Sequence, residues 1–142
     1  MTPPSESRWA QRAQNVRDHF RLENGHDLDG VMATFGEMAS FTMNGEPHEG
    51  KAAVRAFYAG FFEGFPDLGF EIKEIHVGDK AIPVELILRG THTRTWNGIP
   101  PTGRHFEVPV CAVFTFDDAD RIIGERGYFD SALMLRQLEL SS

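Results

Sequence analysis

The hydrophobic period of this chain changes once, near residue 68, and that change confines it to a small set of folds. Before it, apolar residues recur at helical spacing. Trp9, Ala13, Val16 and Phe20 mark one face of a first helix over about residues 7–22. Asn24-Gly25 is expected to end it, with the glycine taking the left-handed closing conformation. Asp27 stands where it can cap a short second helix carrying Leu28, Val31, Met32 and Phe35 on one side. Met38–Met43 alternates and ends at Asn44-Gly45, which predicts a short strand and a turn. Val54, Phe57, Tyr58, Phe61 and Phe62 then form a broad stripe at i, i+3, i+4, i+7, i+8. This is the best-defined helix of the chain, and Phe65-Pro66-Asp67 stops it.

Beyond residue 68 the pattern alternates. Leu68, Phe70 and Ile72 share one parity and Ile75 and Val77 the other, a phase slip that predicts a bulge near Lys73-Glu74. Further strands are expected over 81–91, from the end of the 96–103 loop to Phe116, and over 121–130. Asp117–Asp120 makes an acidic turn, and residues 131–140 close the chain with a helical turn or two. Helices followed by an antiparallel meander is the α+β pattern, with the helices on one face of the sheet. A length of 142 residues suits one domain. Residues 1–7 read as a frayed tail and 8–142 as the domain. Val108–Phe116 is apolar at nearly every position, which predicts burial on both faces, the second against another copy in a homodimer or simply as a central strand of the sheet.

Composition excludes several functions. Net charge is −7 and no Lys/Arg block exceeds neighbouring pairs, so a nucleic-acid partner is not expected. No apolar run reaches the ~20 residues needed to span a bilayer, and the N-terminus lacks the charged and apolar regions of a signal peptide. Cys111 is the only cysteine; it precludes an internal disulfide, fits a reducing cytoplasm, and reads as a small core hydrophobe. Twelve of the residues are Phe against two Tyr and two Trp, so the interior wall should be flat and apolar. A small hydrophobic or aromatic molecule is the partner such a wall accepts. The expected binding surface draws on Phe35, Phe41, Phe57, Phe61 and Phe114, with Trp96 and Tyr128.

Metal and cofactor chemistry find little support in the sequence. The six histidines, at 19, 26, 48, 76, 92 and 105, show no paired spacing that aims two rings at one ion. Asp117-Asp118-Ala119-Asp120 lacks the central Gly and distant Glu of a calcium loop and reads as a solvated turn. No Gly-rich phosphate fingerprint occurs, and none of Lys51, Lys73 and Lys80 lies in an apolar strand interior that would prepare a Schiff base. Neither a metal nor a cofactor is expected. Asp130 ends the last strand beside Tyr128. It reads equally as a proton shuttle raised by desolvation or as the cap of the closing helix. His92 and Trp96, on a strand leading into a Gly/Pro loop, could border a pocket or sit at an exposed strand end. Glu85, in an apolar strand, reads as solvent-facing.

Phe61–Leu68, Gly90-Thr-His-Thr93, Gly98–Arg104 and Tyr128-Phe-Asp130 followed by Leu135–Leu138 resemble the SnoaL-like polyketide cyclases, of the nuclear-transport-factor-two-like superfamily. The resemblance runs from about residue 10 to 140. It implies a cone: a curved antiparallel sheet wrapped on helices around a deep pocket. It also implies Asp130 as the general acid/base of a cofactor-independent intramolecular aldol closure, with His92 or His105 of this chain as candidates for its partner. Relatives that carry a His in the penultimate strand differ from this chain, which has none over residues 106–118, and Arg94 stands where relatives often have Gly. The superfamily also holds hydroxylases, epoxide hydrolases, isomerases and non-catalytic binding domains, so those readings stand beside the cyclase.

Overall fold

A computed structural model describes residues 5–140, from which the chain order is α1 (Glu6–Asn24), α2 (Leu28–Ala33), β1 (Phe35–Met43), β2 (Glu46–Glu49), α3 (Lys51–Gly64), β3 (Gly69–Ile75), β4 (Ile82–Thr91), β5 (His105–Phe116), β6 (Ile122–Phe129) and α4 (Ser131–Gln137). The first four residues of the expected tail lie outside the described residues, and α1 already begins at Glu6. The strands form one six-stranded curved sheet in the order β2-β1-β6-β5-β4-β3. The helices pack on it, and the α+β architecture expected from the change of period is the one observed.

Alternation explains how the sheet faces its core. Ile82, Val84, Leu86 and Leu88 of β4 pair with Phe114, Ala112, Val110 and Val108 of β5, and every one of these side chains is buried. A fully buried side chain of this size contributes about 1.5–3 kcal/mol, so this double row is a main source of stability. On α3 the apolar stripe buries Val54, Tyr58 and Phe61 against the sheet. The register of β3 against β4 shifts between Ile72 and Glu74, where the phase slip predicts it.

Several local expectations need correction. One pairing of the sheet is parallel rather than antiparallel: β1 runs alongside β6, because the β1–β2 hairpin and α3 return the chain across the sheet. β2, with no apolar alternation in Glu46–Glu49, carries no sequence signal and forms by pairing with β1. Phe35, expected on the second helix, opens β1 instead. Asp27 caps that helix, accepting from the Gly30 N–H at 2.9 Å. Gly25 stays right-handed at φ −82°, and the left-handed residue that closes α1 is His26 at φ 52°. His26 tolerates that conformation while its ring stacks on Phe62 at 4.4 Å and its Nε2 bonds the Leu68 carbonyl at 2.8 Å.

The acidic turn between β5 and β6 fastens α1 to the sheet. Asp120 Oδ1 accepts from Arg8 Nη2 at 2.8 Å and from Arg12 Nε at 2.7 Å. Arg12 lies between the Trp9 and Phe116 rings, 5.2 and 5.0 Å from their centroids. Burial would raise the Asp120 carboxyl, but the bonds from Arg8 and Arg12 outweigh it and hold it below its ordinary range.

On the sheet's outer face Pro109 is exposed, while Cys111 and Val113 are half-buried. The run Val108–Phe116 is therefore not enclosed on both sides among the described residues. Its even-numbered residues face the core and its odd-numbered ones look outward.

Candidate functional site

Helical spacing places His19 and Glu23 one turn apart on the buried face of α1, beside Val16 and Phe20. Alternation along β6 turns Glu125 and Gly127 inward and Arg126 and Tyr128 outward. The stripe of α3 supplies Tyr58. These side chains meet inside the core: His19 Nε2 lies 3.1 Å from Glu23 Oε1 and 3.4 Å from Glu125 Oε1. Tyr58 Oη donates to Glu125 Oε1 at 2.5 Å and lies 3.3 Å from His19 Nε2.

The protons of this cluster follow from its neighbours. The Thr34 hydroxyl donates to the Val31 carbonyl at 2.6 Å, so its oxygen accepts from His19 Nδ1, 2.9 Å away. Nε2 then faces two carboxylates, which favour a second proton there. Burial alone would push the imidazole down, but Glu23 and Glu125 outweigh it and hold it up at about 10. Phe20, Phe35 and Phe114 enclose the ring edge-on, with centroids 5.4–5.6 Å away. Burial raises the Glu23 carboxyl above its ordinary value, partly offset by His19. Burial, reinforced by Glu125 and Glu23, raises the Tyr58 phenol well above its own.

Glu23, Glu125 and Tyr58 form the polar end of an inner cavity of about 40 Å³. Its remaining wall is apolar, including Phe41, Phe57, Phe61, Phe70, Leu86 and Val110. Glu23 Oε2 is buried without a hydrogen-bond partner. A buried carboxylate oxygen without a protein partner is costly unless a water or ligand satisfies it, and this one lies in the cavity wall. An outer groove of about 440 Å³ lies across Phe57 and Phe61, bordered by Trp96, His48 and Asn97.

Of the residues expected to bind substrate, Phe41, Phe57 and Phe61 line the inner cavity and Trp96 the outer groove. Phe35 and Phe114 pack behind the cavity against His19. Tyr128 points outward and is 48% exposed. Asp130 is exposed, does not line the cavity, and caps α4 by accepting from the Leu133 N–H at 3.0 Å. The capping bond is therefore one of the two roles read from the sequence. The carboxylate facing the cavity from that strand is Glu125.

His92 is also away from the cavity. Its ring stacks on Phe65 at 5.3 Å, and its Nδ1 accepts from the Thr102 N–H at 3.3 Å. Around it the motifs of the family resemblance lock together. Asp67 accepts from the Thr91 N–H and hydroxyl at 2.6 and 2.7 Å, and Phe65 packs on Gly90, His92 and Trp96. These motifs build a corner of the scaffold. Glu85 faces solvent as expected, paired with His76 at 2.7 Å.

His19, Glu23, Glu125 and Tyr58 were not expected as site residues. The available signal was two ionisable side chains, His19 and Glu23, on the apolar stripe of α1. His19, Glu23 and Glu125 are also metal-ligand types within reach of one another, as are the exposed Glu74, His76 and Glu85. In the buried group, hydrogen bonding already engages His19 Nδ1 and Glu125 Oε1, an arrangement suited to sharing a proton.

Fold and site together define a cone-like α+β domain in which Glu23, Glu125 and Tyr58 form the polar part of an otherwise apolar cavity wall. The SnoaL-like polyketide cyclase family profile matches residues 10–138, and the chain belongs to that family. Among solved structures it is similar to a protein of Jannaschia sp. CCS1 assigned to the SnoaL-like polyketide cyclases (24% identity, 94% of each chain, TM-score 0.84). It is similar also to AclR of Streptomyces galilaeus, assigned as a hydroxylase (19% identity, 94% of this chain and 98% of that one, TM-score 0.82). A third likeness is SalBIII, an epoxide hydrolase/cyclase-like enzyme of pyran ring formation in the polyether salinomycin (23% identity, 87% and 94%, TM-score 0.76). At these identities the likeness establishes the fold. No curated protein matches the sequence significantly. Among the described residues no helix is long and apolar enough to cross a membrane.

Proposed function

We propose that this chain is a polyketide cyclase-like enzyme that closes a ring by intramolecular aldol addition, with Glu23 as its general acid/base. The observation carrying this reading is the buried, unpaired Oε2 of Glu23 in the wall of an apolar cavity. Glu23 takes a proton from a carbon between two carbonyls. The C–H electron pair becomes the enolate, whose carbon attacks a second carbonyl of the same molecule and forms the new C–C bond. The resulting alkoxide recovers the proton from the Glu23 carboxyl, so the product is an isomer of the substrate and no co-reactant is consumed. Burial raises the Glu23 carboxyl above its ordinary value, which makes its carboxylate a stronger base. His19 is a positioning residue, holding Glu23 Oε1 so that Oε2 stays free, while Tyr58 and Glu125 complete the polar wall. The apolar remainder excludes water and holds the chain folded on itself. Mass spectrometry of uncyclised aromatic polyketide esters incubated with wild type and Glu23→Gln tests the reading. An isomer formed only by wild type supports it, and equal turnover by both overturns it.

A hydroxylase or epoxide hydrolase is the second reading. Polar groups converging on a cavity with room for a few waters favour hydrolysis, since Glu23 or Glu125 could activate water there. A product heavier by one water or one oxygen marks that chemistry. A non-catalytic binding domain would return its ligand unchanged.

The same reading includes a cytoplasmic homodimer, supported by the lone Cys111 and by the outer face of the sheet. There Cys111 and Tyr128 pair across β5 and β6, beside Pro109 and Val113, as a partly apolar strip suited to a second copy.

A further inference from the structure

We infer that the outer groove over α3 is a second binding subsite, holding a planar, unsaturated part of the substrate while the reacting end enters the inner cavity. The inference rests on the placement of the chemistry at Glu23 but stands on separate observations. The inner cavity, about 40 Å³, is too small for the whole of an extended polyketide-like substrate, whereas the groove offers about 440 Å³. Phe57 and Phe61 belong to both walls, so these two rings stand between the inner cavity and the groove, and a ligand that occupied both would displace or pass them.

Two glycines of α3 show how the groove is kept open. A Cβ on Gly64 would lie 2.6 Å from Trp96 Cβ, so glycine there lets Trp96 close against the helix and wall off the groove. Trp96 is presented by a tight turn in which its N–H and that of Ile99 bond each other's carbonyls, with Asn97 and Gly98 at φ 50° and 75°. Gly60 has no such packing reason. It sits inside the helix, where glycine is unfavourable, and a Cβ on it would meet nothing within 4 Å. It lines the groove. The space above it is unfilled by protein, and any side chain there would project into it. The aromatic faces of Phe57 and Trp96 suit a flat ring, and His48, Glu46 and Asn97 at the rim suit hydroxyl or amide substituents. Gly60 is thereby the residue that sets selectivity for extended over truncated substrates.

The test separates binding from chemistry. Binding of (6-hydroxynaphthalen-2-yl)methanol, the planar handle alone, is followed by protein NMR titration of wild type, Gly60→Leu and Ala56→Leu, each checked for folding by circular dichroism. Deuterium uptake is then compared between ethyl 2-methylacetoacetate and the corresponding (6-hydroxynaphthalen-2-yl)methyl ester. The expected result is binding of the handle weakened at least tenfold in both variants, and a wild-type preference for the extended ester that collapses in Gly60→Leu. Unchanged binding in the folded variants, or no binding to wild type, overturns the inference. Groove binding that follows this pattern without enzymatic exchange of either ester retains the subsite and rejects the acid/base reading of Glu23.

Discussion

His19 Nε2 lies 3.1 Å from Oε1 of Glu23, one helical turn further along α1, while the other oxygen of Glu23 has no hydrogen-bond partner. One oxygen is anchored and the other is left for a ligand. In the proposed reaction the two oxygens of Glu23 would divide the work of a base, one holding its place and the other exchanging the proton.

Glu23→Gln preserves the side-chain volume and removes the proton exchange. Turnover is expected to fall about 10²–10⁴-fold, the usual contribution of a positioned acid/base. Steady-state kinetics with the fold verified by circular dichroism checks this, and a loss under threefold contradicts it.

Thermal stability should decline as pH rises above neutrality. The His19 pKa is raised on folding, so the stabilisation from its charged form is full below about pH 6.5, its ordinary value, and is lost as pH climbs toward about 10. Glu23, also raised by burial, contributes in the same sense, its stabilisation being lost as pH rises from its ordinary value through the folded one. Melting temperature measured from pH 6 to 10 should fall. In Glu23→Gln the decline should move to lower pH, because His19 loses a supporting charge.

Asp130→Ala should behave as a helix-cap mutation. Loss of the bond from Leu133 N–H is expected to cost about 0.5–2 kcal/mol, with turnover kept within about threefold at a temperature where the variant is folded. Denaturant unfolding and kinetics on the same preparation measure both. A hundredfold loss of turnover in a folded variant would return the acid/base role to Asp130.

Asp120→Ala should release α1 from the β5–β6 turn. It removes charge-assisted bonds to Arg8 and Arg12, and the expected cost is about 1–3 kcal/mol. Because the Asp120 carboxyl is held low, its contribution is present above its ordinary pKa and lost as pH falls through the folded value. Urea unfolding at pH 7 and pH 3 checks the sign: the difference between wild type and variant should shrink in acid.

The sequence made the scaffold legible because its signals are local. The stripe from Val54 to Phe62, the phase slip at Lys73-Glu74 and the cap at Asp27 each depend on residues a few positions apart. The parallel β1–β6 pairing and the short β2 escaped because nothing in Glu46–Glu49 or Phe35–Met43 encodes a partner so distant in sequence. The site escaped for the same reason. His19 and Glu23 look like polar intrusions on an amphipathic helix until β6 brings Glu125, and α3 brings Tyr58, to the same point. The matched motifs around Phe65, Gly90 and His92 meet at one corner of the fold, where His92 Nε2 is buried without a hydrogen-bond partner, and Asp130 makes the capping bond from Leu133 that its position before α4 predicts.

The most direct measurement is proton NMR of ethyl 2-methylacetoacetate in D₂O with wild type, Glu23→Gln and Asp130→Asn, following loss of the signal at the carbon between the carbonyls. The account predicts exchange above the buffer rate for wild type and Asp130→Asn and at the buffer rate for Glu23→Gln. Exchange that persists in Glu23→Gln but disappears in Asp130→Asn would contradict it.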